Sequence, residues 1–528
     1  MSGLFAGRGS LMDRHVCAGH HIFRAVTGDL VPGPGFAQHQ RKIVRGRLSA
    51  LVVCTGAVLL AAGCTTARPS LGTTPASTSA PHVAATSRAS AAAGWPSYGH
   101  DLSNTRTESH DSYVKASTVG HLEATWDIGN LVGVTGTPVV VGDTVYFGTS
   151  AGLVYAIDIA TGKALWRTFV ASGEVVGSPA VADGAVFVGI GGALYKLSAS
   201  DGLPEWKAVT NASAYSQINA SPVVIGDLVV IGTAQFEEVV GQPPGTFRGS
   251  IGAFDVDTGK RVWNFVDTPN NSTSGAGEGI WSTPCVDSAL GLLYVGDGQN
   301  ISPPTGPLAD SLLAIDYRTG RLRWHRQFTQ HDVFGLGNFT GPDADVGASP
   351  NLWQSGGTEM VGVGQKNGIY HALNAATGQE VWQRRITPGS AFGGALGSAA
   401  FVDGMIVASS NVGNPKNNSL TGQSRVVALD PSSGRIVWSR TQPGAIFGPI
   451  SAVPGVAFFG TAVDPLGKVS PGRYYAISTS TGKTLWSDQA PSHVGGGASI
   501  VGRNVLWGYG FTLFAGAGRG GLIEFRVG

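Results

Sequence analysis

One spaced pattern, Ala-x-Asp-x-x-Thr-Gly-x-x-x-Trp, returns along this chain often enough to dictate its architecture. It is whole at Ala156, Asp158, Thr161, Gly162 and Trp166, and again at Ala253, Asp255, Thr258, Gly259 and Trp263. Looser copies run through Asp316, Thr319, Gly320 and Trp324, then Asn374, Thr377, Gly378 and Trp382. Others are Asp430, Gly434 and Trp438, then Ser478, Thr481, Gly482 and Trp486, with a degenerate copy at Asp201, Gly202 and Trp206. The spacing has a mechanical meaning. The Asp side chain accepts from turn amides, Gly takes a positive-φ position, and Trp opens the next strand. Each copy is therefore a strand, a tight turn and an outer strand. Between copies lie pairs of short apolar runs around Gly-Asp, such as Thr137 to Gly148, which read as hairpins. The unit predicted is a four-stranded blade.

Seven copies close with a Trp, and an eighth Trp, Trp126, arrives before any complete unit. After Trp486 the chain supplies three more strands, through Ile500, Trp507 and Ile523. The economical solution is an all-β, eight-bladed β-propeller of four-stranded antiparallel blades over residues 95–528, in which the strand around Trp126 completes the last blade and removes an open edge. Composition agrees: 79 Gly and 12 Trp with only 13% charged residues suit many short, well-covered strands. A formal net charge of +1 gives no footprint for a phosphate backbone, so nucleic acid is not an expected partner.

Ahead of the repeats, Arg41, Lys42, Arg45 and Arg47 precede the apolar run Leu48 to Leu60, and Ala61-Ala62-Gly63-Cys64 follows. This is the layout of a secretion signal over 41–63, and its ending resembles a lipobox with Cys64 as the lipidated residue. Residues 1–40 form an extension upstream of such a signal, and a start near Val44 is expected. Residues 64–94, rich in Ala, Ser, Thr and Pro, read as a flexible linker. The expected location is outside the cytoplasm, with membrane contact only through a lipid anchor, or secretion if Cys64 is not modified. The remaining cysteines are Cys17, Cys54 and Cys285; Cys285 alternates with strand residues and reads as a small buried hydrophobe.

Beyond the repeats, the segment from Trp95 to the C-terminus resembles the quinoprotein dehydrogenases that use pyrroloquinoline quinone (PQQ), and most closely the polyvinyl-alcohol-dehydrogenase-like branch. The resemblance opens with Gly94-Trp95-Pro96-Ser97-Tyr98-Gly99-His100-Asp101 and Asn104-Thr105-Arg106. It continues through Gln235-Phe236-Glu237-Glu238 and Phe247-Arg248-Gly249-Ser250, then Gly279-Ile280-Trp281-Ser282-Thr283-Pro284. The segments Gln327 to Phe334 and Gly364-Gln365-Lys366-Asn367-Gly368 complete it.

The resemblance implies a site. Glu237 or Glu238 would bind calcium, with Gln299 or Asn300 as amide ligand, because Gly296-Asp297-Gly298-Gln299 stands where the family has Gly-x-Gly-Asn. Trp281 would form the floor under the quinone, Lys366 would contact its oxygens, and Asn367 and Arg248 would complete the cofactor contacts. Asp332 would be both a metal ligand and the catalytic base. A family aromatic is missing near Ala395. The implied cofactors are PQQ and Ca2+, and the implied reaction oxidises a small or polymeric alcohol. No Cys-x-x-Cys-His occurs, so electrons would pass to a separate acceptor such as a cytochrome c or a quinone. Asp332 also reads as a loop or turn residue, the Glu pair as a solvated loop, Trp281 as core packing and Lys366 as a turn residue. A non-catalytic propeller serving as an envelope binding or assembly platform is the rival expectation, since the fold hosts both.

Overall fold

In the repeat turns, Asp158 Oδ1 accepts from the backbone N–H (2.9 Å) and hydroxyl (2.6 Å) of Thr161, and Asp255 does the same with Thr258 (2.8 and 2.6 Å). Ser433 fills the Thr position against Asp430 (3.0 and 2.9 Å). The seven repeat glycines, from Gly162 to Gly482, lie at φ between +65° and +72°. This computed structural model describes residues 94–235, 247–268, 275–277, 279–335, 338–339, 341–391, 393–414, 416, 418–462, 472–510 and 519–528.

The turns build eight antiparallel blades, seven of them with their strands in sequence order from the axis outward. Blade 4 is typical: Cys285–Asp287, Leu292–Gly296, Ser311–Asp316 and Leu322–Gln327. Blade 5 follows with Asn351–Ser355, Thr358–Gly364, Ile369–Asn374 and Glu380–Arg385. Blade 8 takes Ser499–Val501, Asn504–Tyr509 and Arg519–Val527 from the C-terminus and its outer strand, Leu122–Val132, from the N-terminal side. Leu122 pairs with Val527 and Trp126 with Glu524, so the closure expected from the Trp126 count is the one observed.

Neighbouring blades are joined by one repeated contact. Each closing indole donates its Nε1–H to a carbonyl of the next blade at 2.6–3.1 Å, a repeat-turn carbonyl from Trp126 to Ile159 through Trp438 to Thr479, and finally the strand residue Leu122 from Trp486. The indole also lies flat against the next turn's glycine. A Cβ at any of these seven glycines would fall 2.3–2.8 Å from the ring. Glycine is thus required twice, for its φ and for the seat.

The opening segment laces the inner strands together near the axis. Val181, Val286, Leu352, Phe401 and Ala452, on the inner strands of blades 2, 4, 5, 6 and 7, donate their amides to Pro96, Leu102, Ser103, Thr105 and Arg106 at 2.7–3.0 Å. Arg106 is fully buried here. Its guanidinium donates to the carbonyls of Tyr98 and Ile450 (2.7 Å to the latter) and to Ser451 Oγ (2.8 Å), and it stacks 4.6 Å from the Tyr98 ring. Burial lowers its pKa to about 10, which leaves it charged at neutral pH. Cys285 is wholly buried, as its alternation suggested.

This strand order has a consequence for the site. In an antiparallel blade the first and third turns lie at one end of the strands, and the second turn and the passage to the next blade lie at the other. The repeat turns occupy the first end. The loops free to vary occupy the second.

Candidate functional site

The residues nominated separately by sequence fall on that second end, in consecutive connections of blades 3, 4 and 5. Arg248 ends the second turn of blade 3, Trp281 lies on the passage to blade 4, and Gln299 and Asn300 sit in the second turn of blade 4. Asp332 lies on the passage to blade 5, and Lys366 and Asn367 form that blade's second turn. Backbone bridges Arg248–Gly277, Gly277–Asn300 and Asn300–Val333 tie these connections into one ladder. Glu237, Glu238 and Cys64 lie outside the described residues.

Trp281 is half-buried and its six-membered ring rests on Gly347, where a Cβ would fall 1.8 Å from the ring. The Lys366 ammonium stands 5.8 Å from the centroid of the indole. It is held by Asp343 Oδ1 at 2.7 Å and by Asp345 Oδ2. Asp345 also accepts from the Gln299 amide at 2.8 Å, so blade 4's turn and blade 5's lysine share one carboxylate. Asp332 is fully buried, and its two oxygens accept from the amides of Asp343 (3.2 Å) and Ala344 (2.6 Å). Burial pushes its carboxyl above the usual range, against those two bonds. Asp310 is buried as deeply, and neither of its oxygens has a hydrogen-bond partner among the described residues. Burial, then the charge of Asp332, drives its carboxyl well above the ordinary value.

Two carboxylates thus hold one ammonium, and two more, Asp310 and Asp332, are buried in the neighbouring connections. Such an excess of buried negative charge fits a bound cation, and the orphaned Asp310 oxygens fit the same conclusion. Among the described residues, no three His, Cys, Asp or Glu side chains converge as a metal-binding group, so a cation here would need further ligands, such as amide oxygens. Gln299 donates its side-chain NH2 to the Phe334 carbonyl (3.2 Å), which leaves its oxygen the better candidate. Asn300 is committed at both ends, to Ala276 (3.4 Å) and Gly306 (2.6 Å).

With this geometry in view, comparison with known proteins decides the family. A family profile described as "Glucose/ethanol/alcohol dehydrogenase, beta-propeller domain" matches residues 95–179 and 198–394, more than half of the chain. The chain belongs to this dehydrogenase propeller family. A second profile, "Outer membrane protein assembly factor BamB", matches residues 365–528. Polyvinylalcohol dehydrogenase from a Pseudomonas species is 28% identical over 439 residues, covering 74% of this chain and 67% of that protein. The enzyme of the same name from a Sphingopyxis species is 29% identical over 404 residues, 66% of this chain and 60% of its own length. The crystal structure of quinohemoprotein alcohol dehydrogenase from Comamonas testosteroni superposes with a TM-score of 0.69 at 22% identity, over 82% of this chain and 80% of that one, which establishes the shared fold.

Two nominated residues of this dehydrogenase propeller turn elsewhere. The Arg248 guanidinium donates back to the Phe247 carbonyl (2.7 Å), and the residue lines a surface cleft with Asn211 and Arg261. Asn367 directs its NH2 group at the Gln365 oxygen and its own oxygen at the Ile369 amide (2.9 Å), so it shapes the lysine turn from within. Near Ala395, the Gly394 Cα passes so close to the Lys366 backbone that a Cβ would fall 1.9 Å from its carbonyl oxygen. Sequence reasoning missed Asp310, Asp343, Asp345 and Gly347. The one available signal was the Asp343-Ala344-Asp345 spacing in the same passage as Asp332.

Proposed function

We propose that this chain is a PQQ- and calcium-dependent dehydrogenase that oxidises an alcohol to an aldehyde or ketone outside the cytoplasm. The observation that carries the reading is the seated Trp281 ring with the Lys366 ammonium over its face and the buried Asp332 carboxylate on the adjoining passage. When bound, the quinone supplies a hydride acceptor whose carbonyl the calcium polarises. Trp281 would orient a flat ring, and Lys366 would supply positive charge near that ring's oxygens. Asp332 would take the hydroxyl proton as hydride leaves the carbon that bears the hydroxyl, so two electrons and two protons leave the alcohol together. Gln299, with Glu237 or Glu238, would hold the calcium. The relatives named for polyvinyl alcohol favour a polymeric or secondary alcohol as substrate. The electrons pass to a separate acceptor such as a cytochrome c, and Cys64 carries a lipid that tethers the domain.

The match of residues 365–528 to the assembly-factor profile supports a second reading, a non-catalytic platform for envelope proteins. Titrating the protein with PQQ, with and without calcium, while following Trp fluorescence and then dye reduction with a panel of alcohols, separates the two. Calcium-dependent binding with turnover is expected. Asp332→Asn should keep the binding and lose turnover, and Lys163→Ala, in a repeat turn, should change neither. Absence of PQQ binding at any calcium level would favour the platform.

A further inference from the structure

His371, on the third strand of blade 5, is buried and unused in the reading above. Its Nδ1 lies 2.7 Å from Glu380 Oε1 and its Nε2 3.3 Å from Gln365 Oε1, and its ring stacks on Phe328 with centroids 3.9 Å apart. Gln365 is fully buried and directly precedes Lys366. Its NH2 group donates to Thr329 Oγ1 at 2.9 Å, three residues ahead of Asp332 in the chain. One amide therefore braces the lysine turn against the passage that carries Asp332.

The donor roles in this chain of bonds follow from one fixed point. The Ile369 backbone N–H can only donate, so the Asn367 atom facing it is the oxygen. Asn367 then presents its NH2 group to Gln365, and the Gln365 atom receiving it must be oxygen. That oxygen leaves His371 Nε2 only the role of donor. An ionised Glu380 requires a proton at Nδ1 as well, so the His371–Glu380 pair holds one more proton than a neutral ring beside a carboxylate. Without it, one of the two bonds fails. Burial pulls the imidazole below its usual value while Glu380 opposes the shift. Arg326, on the outer strand of blade 4 and 3.5 Å from Glu380, and Arg385, on the outer strand of blade 5, are the other charged groups facing the ring, and both disfavour its charge.

We propose that His371 is a positioning residue: the proton it shares with Glu380 lets its ring anchor the Gln365 amide that braces the Lys366 turn while still bonded to Glu380, and release of that proton loosens the turn. For Lys366 and Asp332 this rests on the function proposed above, but the coupling itself does not. It is tested on the whole protein by following the histidine ring signals by NMR against pH, with His371→Gln identifying the His371 signal. Gln365→Glu, which can only accept, should raise the His371 midpoint by about one pH unit or more, and Gln365→Met, which cannot, should lower it. Hydrogen exchange at the 365–369 amides, corrected for its intrinsic pH dependence, should accelerate about tenfold as the pH rises through the wild-type midpoint. Coincident midpoints in all three proteins, or exchange that ignores the midpoint, would overturn the proposal. With PQQ and calcium present, affinity should weaken across the same midpoint and shift with it in Gln365→Glu; affinity indifferent to the midpoint would also count against it. Failure of every protein to bind PQQ would refute the dehydrogenase reading alone, because the ring titration and the exchange need no cofactor.

Discussion

The Trp486 indole donates to the Leu122 carbonyl at 3.0 Å across 364 positions of sequence, and this is the bond by which the seventh blade meets a strand from the other end of the chain. Every other closing Trp makes the same bond to a blade that follows it in sequence. Trp486→Phe removes the donor and should cost about 1–2 kcal/mol. Trp324→Phe loses an equal bond, to Ala375 at 3.0 Å, but not at the closure. Limited proteolysis should therefore cut within 122–132 faster in Trp486→Phe and not in Trp324→Phe; equal cleavage of the two would show that the closing strand is held by its backbone pairing alone.

The seat beneath each indole can be separated from the turn's backbone demand. Gly320, at φ +69°, would place a Cβ 2.6 Å from the Trp263 ring, whereas Gly226, at φ +61°, has nothing within 4 Å of its Cβ position. Gly226→Ala should cost about 1–2 kcal/mol, the strain of a left-handed alanine. Gly320→Ala should cost about 1–3 kcal/mol more, because the ring must move. Urea midpoints decide this, and equal losses would mean the indole has room to yield.

The repeat was legible because its turn chemistry is local: Asp158, Thr161 and Gly162 satisfy one another within five residues, so their spacing survives in the sequence. The role of Gly162 as a seat for Trp126 was not legible, since that contact joins blades and leaves no extra spacing to read. The opening segment was recognised by resemblance alone, and its lacing of five inner strands has no periodicity to betray it. At the candidate site, Trp281, Asp332 and Lys366 were nominated by resemblance. Asp310, Asp343 and Asp345 were not, because acidic residues in long connections look like solvated turns until the fold buries them, two of them against one lysine.

The opening segment also carries a pH-sensitive pair. Burial by itself would lower the pKa of His100, but its interactions with Asp101 and Glu108 outweigh it and raise the imidazole to about 9. Glu108, 3.2 Å away and also accepting from the amides of His110 and Asp111, is held down at about 2 in spite of its burial. The raised His100 stabilises the fold fully below its unfolded value of 6.5 and loses that contribution as pH rises through about 9. The depressed Glu108 contributes fully above 4.5 and loses its share as pH falls through about 2. Melting temperatures of wild type and His100→Gln should therefore differ most between these limits and converge above pH ~9. A difference that persists unchanged into alkaline buffer would mean that His100 acts through packing on Trp95 instead.

Asp310 gives the sharpest test of the acidic site. A buried carboxyl whose folded pKa is raised costs nothing below its unfolded value of 3.8, and the cost grows as pH rises from there toward the folded pKa. In chelator, wild type should lose stability over that interval, and Asp310→Asn, which cannot ionise, should not. At neutral pH the variant should be the more stable by on the order of 1–3 kcal/mol, even though its amide is also short of partners. Calcium should reverse the order: a ligand at a hundredfold excess over its Kd stabilises by about 2.7 kcal/mol, and the variant, having lost a charge from the site, should gain less. Melting curves in chelator and in calcium check both halves. A variant less stable than wild type at every pH in chelator would mean that the Asp310 carboxylate is already satisfied, and the cation would have to be sought elsewhere on the loop end of blades 3 to 5.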